Sequence, residues 1–390
     1  MTASRYLDYA ASTPLDPRVA EAMAAAGARP GNPSSVHSYG RSMRADIDRA
    51  RASVASLFGA APSSVTFTSG ATEANALAIL GHWRAAARAN PGRKMAIVAS
   101  PFEHASVEES LARLAAEEGA EVRRLRAGRG GIISSEEAAG AIGPDTALVT
   151  VMWVNNVLGS VQPVAEIGRI VAAERARRGS GGLPIAFHCD AVQAASSVKI
   201  RVWEAGVDLL TASAHKMYGP KGIGALVRAD GLPVEPLYSG GGQEAGVRHG
   251  TENVPGIAGF GTAAEIAAAR LDADAAHAAA LRKILREGIA ARAGRMEAVA
   301  DGPGSSAGIA FLRHRDMPGD RLALLLDSEG FAVSAGSACD SGKRRGPRAL
   351  AAVLDERRAS QGGIRVSFGR FTTESEVREL VDALSRLSRA

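Results

Sequence analysis

The sequence predicts an α/β protein: a large domain built on a mostly parallel sheet, followed by a small α+β C-terminal domain. Three observations carry this expectation. Between residues 65 and 227 short apolar runs alternate with longer stretches of helical period. Strands that alternate with helices form βαβ units, whose sheet is mostly parallel and covered by helices on both faces. After Gly242 the texture changes to an Ala-rich helical region and then a shorter mixture of strands and helices. The composition, 46% hydrophobic against 22% charged over 390 residues, is that of a chain with a packed core rather than a disordered one.

The expected strands of the large domain are 65–67, 95–99, 148–154, 185–189, 209–212 and 223–227, mostly bounded by Gly, Pro or Ser. Between them, 105–118 and 164–177 repeat apolar residues every three to four positions, as amphipathic helices do. An Ala-rich helix is expected over 254–291. A strand at 309–312, a helix at 321–329 and strands near 331–334 and 364–368 follow. The last helix opens at Thr373 with Glu376 three residues on, a capping box. The expected division is a segment 1–15 packing on the small domain, a large domain 16–260 and a small domain 261–390.

Charge and cysteine content exclude several classes. The net charge of +5 is small for this length, and no Lys/Arg stripe is interleaved with aromatics, so no nucleic-acid partner is expected. No run of about 18 apolar residues is present, so no membrane partner is expected. Residues 1–8 lack a basic start followed by an apolar stretch, and a cytoplasmic location is expected. Two cysteines make neither a disulfide framework nor a structural zinc site. The histidines His104, His188, His215 and His249 lack paired metal-ligand spacing, so no metal is expected.

Ligands of parallel sheets sit outside the carboxyl ends of the strands, and four constellations lie at such ends or in loops. Thr68-Ser69-Gly70-Ala71-Thr72-Glu73 joins a strand to a helix, where free N–H groups and the helix dipole suit a phosphate. A capped helix start with Gly in its turn reads the same way. His188-Cys189-Asp190-Ala191-Val192-Gln193 ends a strand; alternation puts His188 and Asp190 on one face and Cys189 on the other. Asp190 is either an ordinary strand-end aspartate or a partner for a protonated ring nitrogen. Ser213-Ala214-His215-Lys216 follows a strand in a Gly-rich turn, and Lys216 is one of only six lysines. Most loop lysines are merely solvated, but one held in a partly desolvated pocket can form a Schiff base. Cys339 lies in Ala335-Gly336-Ser337-Ala338-Cys339-Asp340-Ser341-Gly342, with Lys343, Arg344 and Arg345 nearby. That setting suits either a reactive thiol or an inert surface one. Gly304-Ser305-Ser306-Ala307-Gly308 matches the serine-hydrolase elbow, but the strand follows it rather than precedes it.

Taken in order, these constellations resemble the pyridoxal-phosphate cysteine desulfurases, within them the nitrogen-fixation and iron–sulfur-assembly class. The resemblance also rests on Leu7-Asp8-Tyr9-Ala10-Ala11-Ser12-Thr13-Pro14, Gly31-Asn32-Pro33-Ser34-Ser35, Glu103-His104, Val154-Asn155-Asn156, Arg248-His249-Gly250-Thr251-Glu252-Asn253 and Arg365-Val366-Ser367-Phe368-Gly369-Arg370. It implies the type I fold of pyridoxal-phosphate transferases, with a seven-stranded sheet, and a homodimer. It implies that Lys216 carries the cofactor. Ala71, Thr72, Ser213 and His215 would bind its phosphate, with Thr251 reaching in from the partner subunit. His104 would stack on the ring, Asp190 pair with its nitrogen, and Gln193 reach its phenolic oxygen. Asn156 and Arg365 would hold the carboxylate of L-cysteine. Cys339 would take the sulfur as a persulfide, leave L-alanine and pass the sulfur to an iron–sulfur scaffold or to tRNA thiolation. Two departures stand out: Val157 where the family usually has glutamate, and Asp340 where it usually has a hydroxyl residue. Alternatives are a selenocysteine lyase, another enzyme of the same class, or a weakly active sulfur-transfer scaffold.

Overall fold

The computed structural model describes residues 5–336 and 348–389. The chain opens with a two-residue strand, β1 (Arg5–Tyr6), and the helices α1 (Pro17–Gly27) and α2 (Ser38–Phe58). Asp16 caps α1, with Pro17 at its first position, and α2 ends at Gly59 in the left-handed conformation. Then the alternation begins: β2 (Val65–Thr68), α3 (Ala71–Ala76), a π-type turn Leu77–Gly81, α4 (His82–Ala89), β3 (Ala96–Ala99) and α5 (Ala105–Glu118). It continues with β4 (Glu121–Arg124), α6 (Ser135–Ala141), β5 (Thr146–Thr150), α7 (Val164–Arg178), β6 (Ala186–Asp190), β7 (Leu209–Ser213) and β8 (Gly224–Arg228).

These strands form one seven-stranded sheet in the order β2-β8-β7-β6-β5-β3-β4. Only β8 runs against its neighbours, β2 and β7; every other pairing in the sheet is parallel. Strands β2, β3, β5, β6 and β7 are buried along their whole length, as helices on both faces require. Sequence periodicity misses β4, because Glu121-Val122-Arg123-Arg124 is a charged, half-exposed edge strand with one apolar position. The apolar run at 148–154 is strand only to Thr150. Beyond it, Val151 and Trp153 donate to the carbonyls of His188 and Asp190, and the chain leaves the sheet as a loop that carries Asn155 and Asn156.

Helix α8 (Val254–Arg292) is 39 residues long and belongs to two cores. Its first half, from Val254 to Ala267, packs in the large core, whereas Leu281, Leu285 and Ile289 pack in a second one. That second core lies among β9 (Met296–Val299), β10 (Ile309–His314), α9 (Gly319–Ser328), β11 (Phe331–Ala332), β12 (Ser334–Ala335), β13 (Ile364–Ser367) and α12 (Glu374–Leu387), whereas α10 (Arg348–Ala351) and α11 (Glu356–Gln361) pack through Ala349, Leu350 and Ala359 in the large core. Its sheet, β12-β13-β10-β9, is antiparallel throughout. The capping box at Thr373 and Glu376 starts α12. Strand β1 pairs in parallel with β11, and the Ser367 N–H donates to the Leu7 carbonyl at 2.8 Å. Residues 8–13 therefore run from the small sheet to the carboxyl ends of the large one. No helix of the described residues is long and apolar enough to cross a membrane.

Candidate active site

The turn after β2 is shaped by close packing. A Cβ at Gly224, the first residue of β8, would lie 2.6 Å from the Gly70 carbonyl carbon, so glycine is needed where the turn crosses β8. Gly70 precedes α3, and among the described residues no side chain caps this helix start. Its first N–H groups, those of Ala71 and Thr72, are therefore open to an anion. Glu73 stiffens the turn: its carboxylate accepts from the Ser69 N–H at 2.5 Å and from Arg248 Nε at 3.0 Å.

Strand β6 ends in Asp190, which is only 5% exposed. Its Oδ2 accepts from Asn75 Nδ2 at 2.8 Å and its Oδ1 from the Val192 N–H at 3.0 Å. Asn75 Nδ2 also donates to Ser106 Oγ at 2.9 Å, and Ser106 Oγ pairs with His104 Nδ1 at 2.8 Å. One hydrogen-bonded chain thus links the end of β6, the last turn of α3 and the start of α5. Two residues back, His188 sits between Thr150 (2.9 Å) and Thr211 (3.3 Å), and burial pushes its pKa down to about 4, leaving a neutral ring. Cys189 faces the other way into the large core, where burial raises its thiol pKa. Glu103 Oε1 accepts from Ser100 Oγ at 2.6 Å and the Met152 N–H at 2.7 Å, and burial pushes this carboxyl up to about 8. At neutral pH Glu103 therefore carries a proton.

Strand β7 ends at Ser213, and the next turn presents His215 and Lys216. Lys216 Nζ donates to the carbonyls of Ala10 at 2.6 Å and Ala11 at 2.7 Å. Gln193 Nε2 donates to the same Ala10 carbonyl at 2.8 Å. His215 Nδ1 lies 3.3 Å from Ser12 Oγ, and the Thr13 N–H donates to the His215 carbonyl. Burial, reinforced by the charges of Lys216 and Lys221, pushes the His215 pKa down to about 4.

The small domain contributes Arg365 from β13. Its Nη1 donates to the Asn156 carbonyl at 2.8 Å, and its Nη2 donates to Asp8 Oδ1 at 2.8 Å and Ser334 Oγ at 3.0 Å. Asn156 is set by its neighbour: Asn155 Oδ1 accepts from the N–H groups of Val157 and Leu158, which fixes the turn. The Val157 side chain is a half-buried apolar group packed against the large core.

Residues 8–13 are thus the hub of the site, touching Arg365, Gln193, Lys216 and His215 in turn. Residue-level reasoning gave this segment no role; its only signal was the stretch Leu7–Pro14. Thr251 stands at the flank, exposed, on a cleft it shares with Thr68, Ser69 and Arg248. Cys339 lies outside the described residues. Among the described residues no cluster of His, Cys, Asp and Glu is arranged to hold a metal ion.

Comparison with known proteins agrees with this architecture. The class-V aminotransferase family matches residues 5–380. The IscS-like cysteine desulfurase of Mycobacterium tuberculosis is 38% identical over 385 residues, covering 97% of this chain and 95% of that protein. The solved structure of a NifS-like protein superposes with a TM-score of 0.88 at 32% identity, over 98% of this chain and 99% of that one. The structure of SspA in complex with cysteine has a TM-score of 0.80 at 31% identity, over 95% and 100%. The chain belongs to the class-V aminotransferase family and, within it, to the cysteine desulfurases.

Proposed function

We propose that this chain is a pyridoxal-phosphate-dependent cysteine desulfurase that converts L-cysteine to L-alanine and holds the sulfur as a persulfide on Cys339. The observation that carries the reading is the convergence of Lys216, Gln193, His215 and Arg365 on the single segment 8–13. One lysine, one strand-end carboxylate and one arginine fork are what an amino acid needs to be bound and deprotonated at its α-carbon. The resemblance to SspA, solved with cysteine, supports an amino-acid substrate of that kind.

The residues present fit pyridoxal phosphate. Among the described residues the start of α3 is uncapped and a Cβ on Gly70 would meet nothing within 4 Å, which leaves the space before Ala71 and Thr72 open to a phosphate. Ser213 and His215 would complete that cradle, and Thr251 of a second copy would add a contact across a two-fold axis, giving a homodimer. Asp190, held by Asn75, would pair with the ring nitrogen; Asn75 Oδ1 is itself buried without a partner among the described residues. His104 would stack on the ring, Gln193 would reach its phenolic oxygen, and Lys216 would carry it covalently. When bound, the cofactor supplies an electron sink for the substrate α-carbon.

The chain's own groups do the rest. Arg365 and the Asn156 turn hold the substrate carboxylate. Lys216, freed when substrate binds, moves the α-proton. The Cys339 thiolate attacks the substrate sulfur: an S–S bond forms, the C–S bond breaks, and the carbon keeps the electron pair and takes a proton to become alanine. The persulfide then passes to an acceptor for iron–sulfur assembly or tRNA thiolation. The test is alanine release from L-cysteine by the holoenzyme and by Cys339→Ser. Wild type should release alanine and Cys339→Ser almost none, because a neutral hydroxyl is a far poorer nucleophile than a thiolate. Comparable alanine from both would assign the wrong thiol or the wrong reaction.

A further inference from the structure

The donor inventory of Arg365 holds a consequence for substrate selection. A guanidinium has five N–H donors in a planar fork, and it grips a carboxylate with two parallel bonds from adjacent nitrogens. Both such edges, Nε–Nη2 and Nη1–Nη2, include Nη2. In this protein Nη2 spends its two hydrogens on Asp8 Oδ1 (2.8 Å) and Ser334 Oγ (3.0 Å), and Nη1 gives one to the Asn156 carbonyl (2.8 Å). Arg365 Nε is buried without a partner among the described residues. Ser334 Oγ also donates to Asp8 Oδ2 at 2.9 Å, so Asp8 and Ser334 act on Nη2 as one unit. The pair is well shielded, with Arg365 7% and Asp8 18% exposed at the side chain.

We propose that Asp8 is a resident carboxylate on Arg365 that must give way when a substrate carboxylate arrives, and that this exchange selects α-carboxylated amines. The inference rests on the reading of Arg365 as the substrate fork. No edge of the guanidinium can receive a bidentate ligand while Asp8 and Ser334 hold Nη2. Two carboxylates on one guanidinium repel, so the incoming one takes Nη2 and Asp8 swings off with the Ser334 hydroxyl. Asp8 lies two residues before Ala10, whose carbonyl binds Lys216 Nζ. Displacement at Arg365 therefore begins in the same short segment whose carbonyls face the Lys216 side chain. An amine without a carboxylate leaves Asp8 in place and loosens nothing.

The experiment titrates the holoenzyme with L-alanine and with ethylamine, its counterpart without the carboxylate, following the visible absorbance of the bound cofactor. Asp8→Asn leaves the buried Arg365 charge uncompensated until a ligand carboxylate neutralises it. L-Alanine should then bind about tenfold more tightly than to wild type, with ethylamine unchanged. Weaker or unchanged L-alanine binding would make Asp8 a mere support for Arg365 and overturn the proposal, as would an equal gain for ethylamine. Ser334→Ala, which keeps the ion pair and frees one Nη2 hydrogen, is the second variant should Asp8→Asn fold poorly. It should tighten L-alanine binding about threefold, and no change there also overturns the proposal. A wild type that releases no alanine from L-cysteine would instead remove the desulfurase reading. The Asp8 test would survive, because L-alanine binding needs no thiol chemistry.

Discussion

The two arms of the site are held by different physics. Around the carboxyl ends of β3, β6 and β7 burial keeps His188, His215 and Glu103 neutral. Around β13 the groups are charged, and the partners Asp8 and Ser334 of Arg365 lie 357 and 31 residues away. A neutral, hydrogen-bonded arm resists change, because each buried polar atom that loses its partner costs about 1–3 kcal/mol. An ion pair can be replaced by another ion pair of the same sign pattern at little net cost. The first arm is suited to holding a cofactor permanently, and the second to binding and releasing a charged substrate at every turnover.

The largest expected effect belongs to the residue between the arms. Lys216 touches the hub through Ala10 and Ala11 and is the base of the proposed reaction. Lys216→Ala should lower alanine release by roughly a thousandfold, the size of general acid–base assistance. Activity within a factor of ten of wild type would give the proton transfer to another group.

Next come the arms themselves, which should fail in opposite ways. Arg365→Ala should raise KM for L-cysteine, losing roughly 2–5 kcal/mol of binding as a buried charge pair is truncated. Asp190→Ala should lower kcat, on the order of a hundredfold, with a smaller change in KM, since the proposed role of Asp190 is to pair with the cofactor ring nitrogen and not to bind the substrate carboxylate. Steady-state kinetics, with cofactor content read from the visible spectrum, distinguishes them. The same kcat–KM split in both variants would erase the distinction between the arms.

The distinction also explains what the sequence reveals. Asp190, Lys216, Ser213 and His215 lie within a few residues of a buried strand, so a strand-end search finds them. The fold class was legible for the same reason: 105–118 is helical as its apolar spacing requires, and β2, β3, β6, β7 and β8 fall within a residue of their apolar runs. The edge strand β4 escaped because an edge need not be apolar. Asn75 and Ser106, which tie Asp190 to His104, escaped because their side chains meet only after three elements have packed. Asp8 was visible only as part of a matching stretch, because nothing local links it to an arginine 357 positions away.

A smaller effect tests whether the strand-end arm is neutral. Glu103 is an acid whose folded pKa, about 8, lies far above the value of about 4.3 it has in an unfolded chain. Between those values the unfolded state has lost the proton and the folded state keeps it. Wild-type stability therefore falls as pH rises from about 4.3 towards 8 and levels off above. Glu103→Gln imitates the protonated form. Its melting temperature should gain on wild type steadily between pH 5 and 8, by at most about 1.4 kcal/mol per pH unit in stability. A pH-independent difference would mean that Glu103 is charged and that the arm is not neutral.

The smallest expected effect concerns the other face of the same strand. Strand alternation turns Cys189 away from Asp190, and the residue is 0% exposed within the large core. Burial raises its thiol pKa, so it holds almost no thiolate at neutral pH. It can act only as a small apolar filler. Cys189→Ala should lower stability by about 1 kcal/mol, read as a shifted denaturation midpoint at unchanged slope. Alanine release should stay within a factor of two of wild type, because Asp190 keeps both of its hydrogen bonds. A tenfold loss of turnover with stability intact would show that the core face of β6 bears on the reaction. The arm would then be a transmitting strand rather than a rigid support, and the contrast with the exchangeable ion pair at Arg365 would fail.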